Sequence, residues 1–255
     1  MTEERLPVRT QALMFTVWGG YIYLREIKTP VWIGSLIELF GEMGYSEQAV
    51  RLALSRMCRH GWLKREKVET RSYYSMTGKG LEFLKQGAKR LFPQIMPNSN
   101  WDGLWRMFIY SIPEKHSKLR SIVRKELMWL GCGSLAYGVW ISPNPIEKDI
   151  EALIQEYKLT NFTEFFVAQG RDLTYDRKMV ERCWNLDKVN QLYIEFIENY
   201  QAKLQEFGDD VPDSLCFRNR VQLNYDFRKL IFQDPDLPKE LQPDNWKGEE
   251  AAKFV

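Results

Sequence analysis

The chain has few of the residues that metal and redox chemistry need. Its 255 residues hold two histidines, His60 and His116, and four cysteines, Cys58, Cys132, Cys183 and Cys216. No Cys-x-x-Cys pair occurs and the thiols stand far apart, so neither a zinc site nor a disulfide framework is expected. The cysteines read as ordinary reduced thiols, and both histidines as surface residues. No stretch approaches the roughly 18 uninterrupted apolar residues of a membrane span. The start, MTEERLPVRTQ, sets acidic charge ahead of any apolar run, which argues against a signal peptide and for a cytoplasmic protein. The GKG after Met76 lacks phosphate-loop spacing. No cofactor or metal is expected, and no nucleophile can be paired with a base.

What is present suffices for a globular protein of more than one domain. At ~100 to 200 residues per domain, the length suggests two or three units. A hydrophobic share of 44% provides enough apolar area to offset the ordering entropy of the backbone. The formal net charge of +2 hides an asymmetry: residues 1–92 carry 15 Lys and Arg against 9 Asp and Glu, and the remainder carries 21 against 25. A surface that faces a polyanion is therefore sought in the first third.

Hydrophobic periodicity there gives three helices, a hairpin and a helix. Residues 9–23 (RTQALMFTVWGGYIY) read as a core helix that breaks near Gly19-Gly20. WIGSLIELFGEMG follows as a second helix, ending at Gly44. Ser46 is a good N-cap for a third, which runs to about His60 and stops at Gly61. WLKREKVETRSYYSM then reads as a hairpin with its tip at Glu69-Thr70-Arg71, and Thr77 caps an amphipathic helix. A linker is expected in PQIMPNSN, residues 93–100.

Beyond it, a strand over 105–112, a helix over 115–130, a strand over 134–142, a helix over 146–157 and a strand over 162–170 suggest a small ferredoxin-like α/β sandwich. The rest is helical, with one long amphipathic helix at 187–207, another at 214–232, and a proline-punctuated tail lying on the surface. The expected fold class is α+β multidomain. It comprises an N-terminal winged helix-turn-helix over 1–92, the ferredoxin-like unit over 98–170 and a C-terminal helical domain over 171–255.

The third helix has two chemically distinct faces. At 100° per residue, Val50, Ala53, Leu54 and Met57 fall together and can enter a core, while Gln48, Arg51, Leu52, Ser55 and Arg59 fall opposite, with Arg56 at the edge. No carboxylate lies between Gln48 and His60. An ordinary solvated helix mixes signs to gain i, i+4 pairs, so this lack favours a nucleic-acid face, although a basic structural helix remains the bland reading. Arginine can make bidentate contacts to guanine or phosphate, glutamine can address adenine, and serine can reach phosphate. The expected DNA interface is Ser46, Gln48, Arg51, Ser55, Arg56 and Arg59, with Lys67 and Arg71 on the hairpin as a wing.

The stretches AVRLALSRMCRHGWL, RSYYSMTGKG, WDGLWRMFIYSIP, LMWLGCGSLAYGVWISP and LIFQDPDLPKELQPDNW, in this order along essentially the whole chain, resemble the PaaX family of bacterial transcriptional repressors. The resemblance implies a non-enzymatic repressor of aromatic-acid (phenylacetate) catabolism. Such a repressor dimerises on double-stranded operator DNA and is released by phenylacetyl-coenzyme A. For that effector, the aromatic residues Trp101, Trp105 and Trp140 are candidates for an apolar pocket, and Arg106, Arg228 or Lys229 for its phosphates. Tryptophans in strands are more often core residues, which is the competing reading.

The central unit also resembles the ferredoxin-like nuclease subunit of CRISPR adaptation. Those proteins carry an Asp at the end of the first strand, where paired carboxylates hold a divalent metal. Ser111 occupies the matching position here, so a metal-dependent nuclease is the disfavoured alternative. Asp102 is expected to form a turn or cap before that strand.

Overall fold

Apolar spacing and local stop signals define the first elements. The computed structural model describes residues 9–23, 29–91, 101–208 and 211–255. Helix α1 (Arg9–Val17) is followed by α2 (Ile33–Glu42) and α3 (Glu47–Arg59). Val50, Ala53, Leu54 and Met57 of α3 are buried together with Leu13, Met14, Leu36 and Phe40, so the inner stripe of α3 is a core stripe. The backbone does not break at Gly19-Gly20 as the sequence suggested. It passes instead into a π-helical turn over Trp18–Tyr23. A Cβ on Gly19 would stand 2.6 Å from Leu84 Cδ2, so the glycine serves a close helix approach rather than a helix end.

Strands β2 (Leu63–Val68) and β3 (Arg71–Met76) form the expected hairpin, with a shorter tip at Glu69-Thr70. A strand that the sequence did not disclose, β1 (Val31–Trp32), pairs antiparallel with Tyr74 and Tyr73 of β3. Helix α4 (Gly78–Leu91) follows. The linker expected at 93–100 lies outside the described residues.

The central region runs β4 (Leu104–Tyr110), α5 (Ser117–Trp129), β5 (Gly133–Ala136), β6 (Val139–Ser142), α6 (Glu147–Glu156) and β7 (Thr163–Gln169). The single strand expected over 134–142 is thus two, joined by a reversal at Tyr137-Gly138 where Gly138 takes φ 74°. The four strands form one antiparallel sheet in the order β5-β6-β4-β7. Alternation along β4 sends Phe108 and Tyr110 to one face, packed with Val123, Leu127, Ile150 and Leu153 of α5 and α6. Trp105 goes to the other face, into a cluster with Ile141, Val180, Leu186, Leu237 and Leu241.

Helices α7 (Leu173–Cys183), α8 (Leu186–Glu206), α9 (Asp213–Ile231) and α10 (Gly248–Ala252) complete the described chain. The tail is more than a surface strap, because Leu237 and Leu241 are buried in the cluster around Trp105. Helix α9 packs in two directions. Leu223, Phe227 and Leu230 join Tyr193, Phe196 and Ile197 of α8, whereas Val221 and Tyr225 enter the core built by α1 to α3.

Candidate nucleic-acid interface and a second cleft

The α3 segment is delimited at both ends by local chemistry. Ser46 has extended backbone, and its Oγ accepts the Ala49 amide at 3.2 Å, satisfying one of the helix's unpaired donors. Gln48, Arg51, Leu52, Ser55 and Arg59 are exposed, and Arg56 is half-buried at the edge. The two-faced helix projected from the sequence is present. The lack of an i, i+4 pair is not: Glu47, one position before the window that was read as carboxylate-free, engages Arg51 with Nε and Nη2 at 2.7 and 2.6 Å from Oε1.

The hairpin stands beside this helix through its corner. The Trp62 amide donates to Met57 O at 3.0 Å, and its indole lies between His60, at 4.6 Å between ring centroids, and Phe83, at 5.0 Å. His60 is therefore half-buried against Trp62, not a free surface residue. Beyond buried Leu63, every residue of β2 from Lys64 to Val68 is exposed, Lys67 among them. Lys64 pairs with Glu66 at 2.6 Å, and the Arg65 guanidinium donates to Ser72 Oγ at 2.9 and 3.1 Å. Arg71 is exposed, its guanidinium 5.2 Å from the ring centroid of Trp32. Trp32 was missed as a neighbour of the hairpin because its strand is too short to leave a periodic signal. Behind the hairpin, burial raises the Tyr74 phenol above its ordinary pKa, against the opposing charge of Arg65.

The residues expected to hold an effector do not converge. The Trp105 indole donates to Asp176 Oδ1 at 3.0 Å in the core, and half-buried Trp101 donates to Leu104 O at 3.2 Å. Arg106 is engaged within the protein. It is 6% exposed, and its donors are taken by Asp102 (2.6 and 2.8 Å), Glu147 (2.8 Å) and the carbonyl of Pro143 (3.2 Å). Two carboxylates already neutralise it, so it offers no surplus charge to a phosphate. Asp102 also accepts the Leu104 amide at 3.0 Å, which makes it the expected turn residue. Lys229 is exposed, over the Tyr225 ring and 3.7 Å from Asp226. Ser111 is exposed just after β4, its amide bonded to Phe162 O at 2.8 Å.

Trp140 does line a cleft. This cavity of about 830 Å³ lies between α5, β5 and β6 on one side and the α7–α8 corner and the end of α9 on the other. Trp129, Trp184 and Phe232 supply further aromatic wall, and exposed Arg124, Lys125 and Lys188 supply positive charge. Trp129 and Phe232 stack at 4.6 Å across segments that the sequence places far apart. The Trp184 indole donates to Gly131 O at 3.1 Å. Burial, partly offset by Arg182, pushes the Cys183 thiol in this wall up to about 11, so it is a protonated and unreactive lining group at neutral pH.

Three family models match consecutive parts of the chain: a PaaX-like protein model over residues 9–80, the PaaX protein central Cas2-like domain over 98–180, and the PaaX-like protein C-terminal domain over 184–255. Among curated proteins, the chain is 30% identical over 255 residues to the transcriptional repressor PaaX of Escherichia coli (strain K12), covering 98% of this chain and 79% of that one. Among solved structures, it superposes on the uncharacterized protein Rv0674 from Mycobacterium tuberculosis with a TM-score of 0.63 at 20% identity, over 94% of this chain and 89% of that one. The second likeness concerns the fold. Three models that together span almost the whole described chain, and a relative 30% identical over 98% of this chain, show that the chain belongs to the PaaX family.

Proposed function

We propose that this protein is a DNA-binding transcriptional repressor of aromatic-acid (phenylacetate) catabolic genes, acting on operator DNA as a homodimer in the cytoplasm. In this reading residues 1–92 form a winged helix-turn-helix, 98–170 a ferredoxin-like unit and 171–255 a helical C-terminal domain. The β-α-β-β-α-β run with strand order β5-β6-β4-β7 supports the central assignment.

One observation carries the reading: α3 is buried along Val50, Ala53, Leu54 and Met57, and it exposes Gln48, Arg51, Ser55 and Arg59 beside an exposed hairpin bearing Lys67 and Arg71. A helix of this width enters a major groove, and a hairpin at its C-terminal end meets the flanking phosphates. Arg51, Gln48 and Ser55 face base edges. Ser46, Arg56, Arg59, Lys67 and Arg71 hold phosphates. Two copies place their α3 helices ~34 Å apart, or a multiple of that, on a palindromic site.

An aryl-coenzyme A thioester such as phenylacetyl-coenzyme A releases the repressor. The cleft lined by Trp129, Trp140, Trp184 and Phe232 supports this, having the volume of a small-molecule site, an apolar wall and nearby cations. The ligand must favour the state that cannot hold the operator, since equal affinity for both states shifts nothing. Calorimetric titration with phenylacetyl-coenzyme A, followed by operator release in a gel shift, tests both halves. Saturable binding with release is expected. Binding by free phenylacetate but not by the thioester would overturn the effector assignment.

A further inference from the structure

The cations of the β2–β3 hairpin are held in different ways. Lys64 pairs with Glu66 at 2.6 Å, and Arg65 spends two of its donors on Ser72 Oγ at 2.9 and 3.1 Å. Arg71 has no carboxylate, hydroxyl or carbonyl partner among the described residues. Its guanidinium lies instead over the Trp32 ring, 5.2 Å from the centroid, within the reach of a cation–π contact.

Three separate features build that contact. Val31 and Trp32 of β1 pair with Tyr74 and Tyr73 of β3, and Val31 and Tyr74 turn into the core. Alternation therefore sets Trp32, Tyr73 and Arg71 together on the outer face of the sheet, with Arg71 diagonal to Trp32. The indole stays 39% exposed there, a large apolar group that packing alone would have covered. It also lies across the first turn of α2, where Gly34 makes room for it: a Cβ on Gly34 would stand 2.3 to 2.5 Å from Cη2, Cζ2 and Cζ3 of the ring.

A ring holds an arginine without using it up. Stacking engages the flat face of the guanidinium and leaves the in-plane N–H fork for an anion, whereas a carboxylate takes both charge and donors. Glu47 does the latter to Arg51, and Asp102 and Glu147 do it to Arg106. Arg228 is stacked too, 5.3 Å from the Phe232 centroid, but it is buried and so closed to a large partner. Arg71 is exposed. A long side chain that is already held loses less rotamer freedom when it binds.

We propose that Trp32 is a positioning residue for DNA binding: it holds Arg71 with its charge and its N–H fork unspent for a phosphate of the duplex, and Gly34 is the residue that lets the indole lie there. This rests on the winged helix-turn-helix reading above. It adds how the exposed arginine of the hairpin is kept ready, and by which residues outside the hairpin.

The test uses the full chain and a labelled mixed-sequence duplex, because phosphate contacts carry non-specific binding and need no known operator. Anisotropy titrations across salt are paired with thermal unfolding of each variant. Arg71→Ala should weaken binding and lower the slope of log K against log salt by about 1. Trp32→Leu should weaken binding about two- to fivefold, the worth of an exposed cation–π contact, and keep the slope because the charge remains. Trp32→Tyr, which retains a ring, should recover most of that loss. Gly34→Ala should resemble Trp32→Leu, since the methyl takes the place of the indole, and it stands in if the leucine variant does not fold. In the Arg71→Ala background Trp32→Leu should cost nothing further, whereas a purely structural Trp32 would cost the same factor in both backgrounds. That equal cost overturns the proposal. So does parent-like binding by Trp32→Leu when Arg71→Ala is weakened, an outcome that leaves the winged-helix reading standing. Parent-like binding by Arg71→Ala removes the phosphate role of Arg71 from that reading and the proposal with it.

Discussion

Glu47 and Arg51 lie one helical turn apart on the exposed side of α3, with Nη2 and Nε of the arginine 2.6 and 2.7 Å from the same carboxylate oxygen. Both side chains are more than half exposed, so screening by water leaves the pair worth only ~0.3 to 0.5 kcal/mol. A bidentate arginine–guanine contact discriminates by ~1 to 3 kcal/mol, several times more. In the proposed reading DNA therefore wins the guanidinium, and Glu47 is left as a negative charge near phosphates. Glu47→Gln should leave folding stability within about 0.5 kcal/mol and tighten operator binding severalfold at low salt. Fluorescence anisotropy at two salt concentrations checks this, and an unchanged or weaker affinity would sink it.

The α3 face and the wing should separate in their response to sequence and salt. Arg51→Ala should cost ~1 to 3 kcal/mol on the operator and flatten the preference for it over mismatched sites. Lys67, exposed on β2, faces backbone in this reading. Lys67→Ala should weaken binding to all duplexes alike and reduce the slope of log K against log salt by about 1. A competition series over single-base variants, repeated across salt, measures both. If Lys67→Ala changed the ranking of sites, the division of labour between helix and wing would be wrong.

The α3 face was legible because everything that defines it is local: a serine cap, an apolar stripe at helical spacing and a glycine stop. The short strand Val31–Trp32 was not, because its existence depends on pairing with Tyr73 and Tyr74 some 40 residues on. The segment SLAYGVWIS reads as one strand by composition, and only the φ of 74° at Gly138 turns it into two. Arg106 looked free because its partners Asp102 and Glu147 come from a turn and a distant helix. Trp129 and Phe232 went unremarked for the same reason. A residue's type says that it can line a cleft, and the packing of α5 against α9 decides that it does.

The Arg106 cluster sets a pH dependence of stability. The Arg106 hydrogen bond, with the Leu104 amide and then the charge of Arg106, holds the Asp102 carboxyl below its ordinary value against the upward pull of burial. At Glu147 burial works upward, and the hydrogen bond and charge of Arg106 together with a backbone amide outweigh it. Both folded pKa values are depressed, so this contribution is complete above the ordinary carboxylate range and is lost as pH falls through the folded values, below about pH 4. Arg106→Gln should be less stable than the parent at pH 7 and should lose less stability between about pH 5 and 3. Urea unfolding at pH 7, 5, 4 and 3 gives both curves. Parallel curves would mean that the cluster is not coupled to folding.

Gly80 connects the fold to the wing. A Cβ there would stand 2.2 Å from the carbonyl oxygen and 3.0 Å from the carbonyl carbon of Trp62, both backbone atoms that cannot rotate away. The same corner is held by Thr77, whose hydroxyl donates to Gly61 O at 2.5 Å and accepts the Gly80 amide at 3.0 Å. Trp62 is the residue from which β2 leaves α3, so pushing its carbonyl moves the hairpin relative to the helix. Gly80→Ala should destabilise the protein by ~1 to 3 kcal/mol, as overpacking does. It should also weaken operator binding in the fraction that remains folded, chiefly by losing the wing's share of the salt slope. Gly78→Ala is the matched control: nothing lies within 4 Å of its added methyl, and the change should be neutral or stabilising by up to ~1 kcal/mol. Gly80→Ala with full operator affinity and an unaltered salt slope would show that the placement of the hairpin against α3 does not matter for binding, and with it the wing assignment of Lys67 and Arg71 would fall.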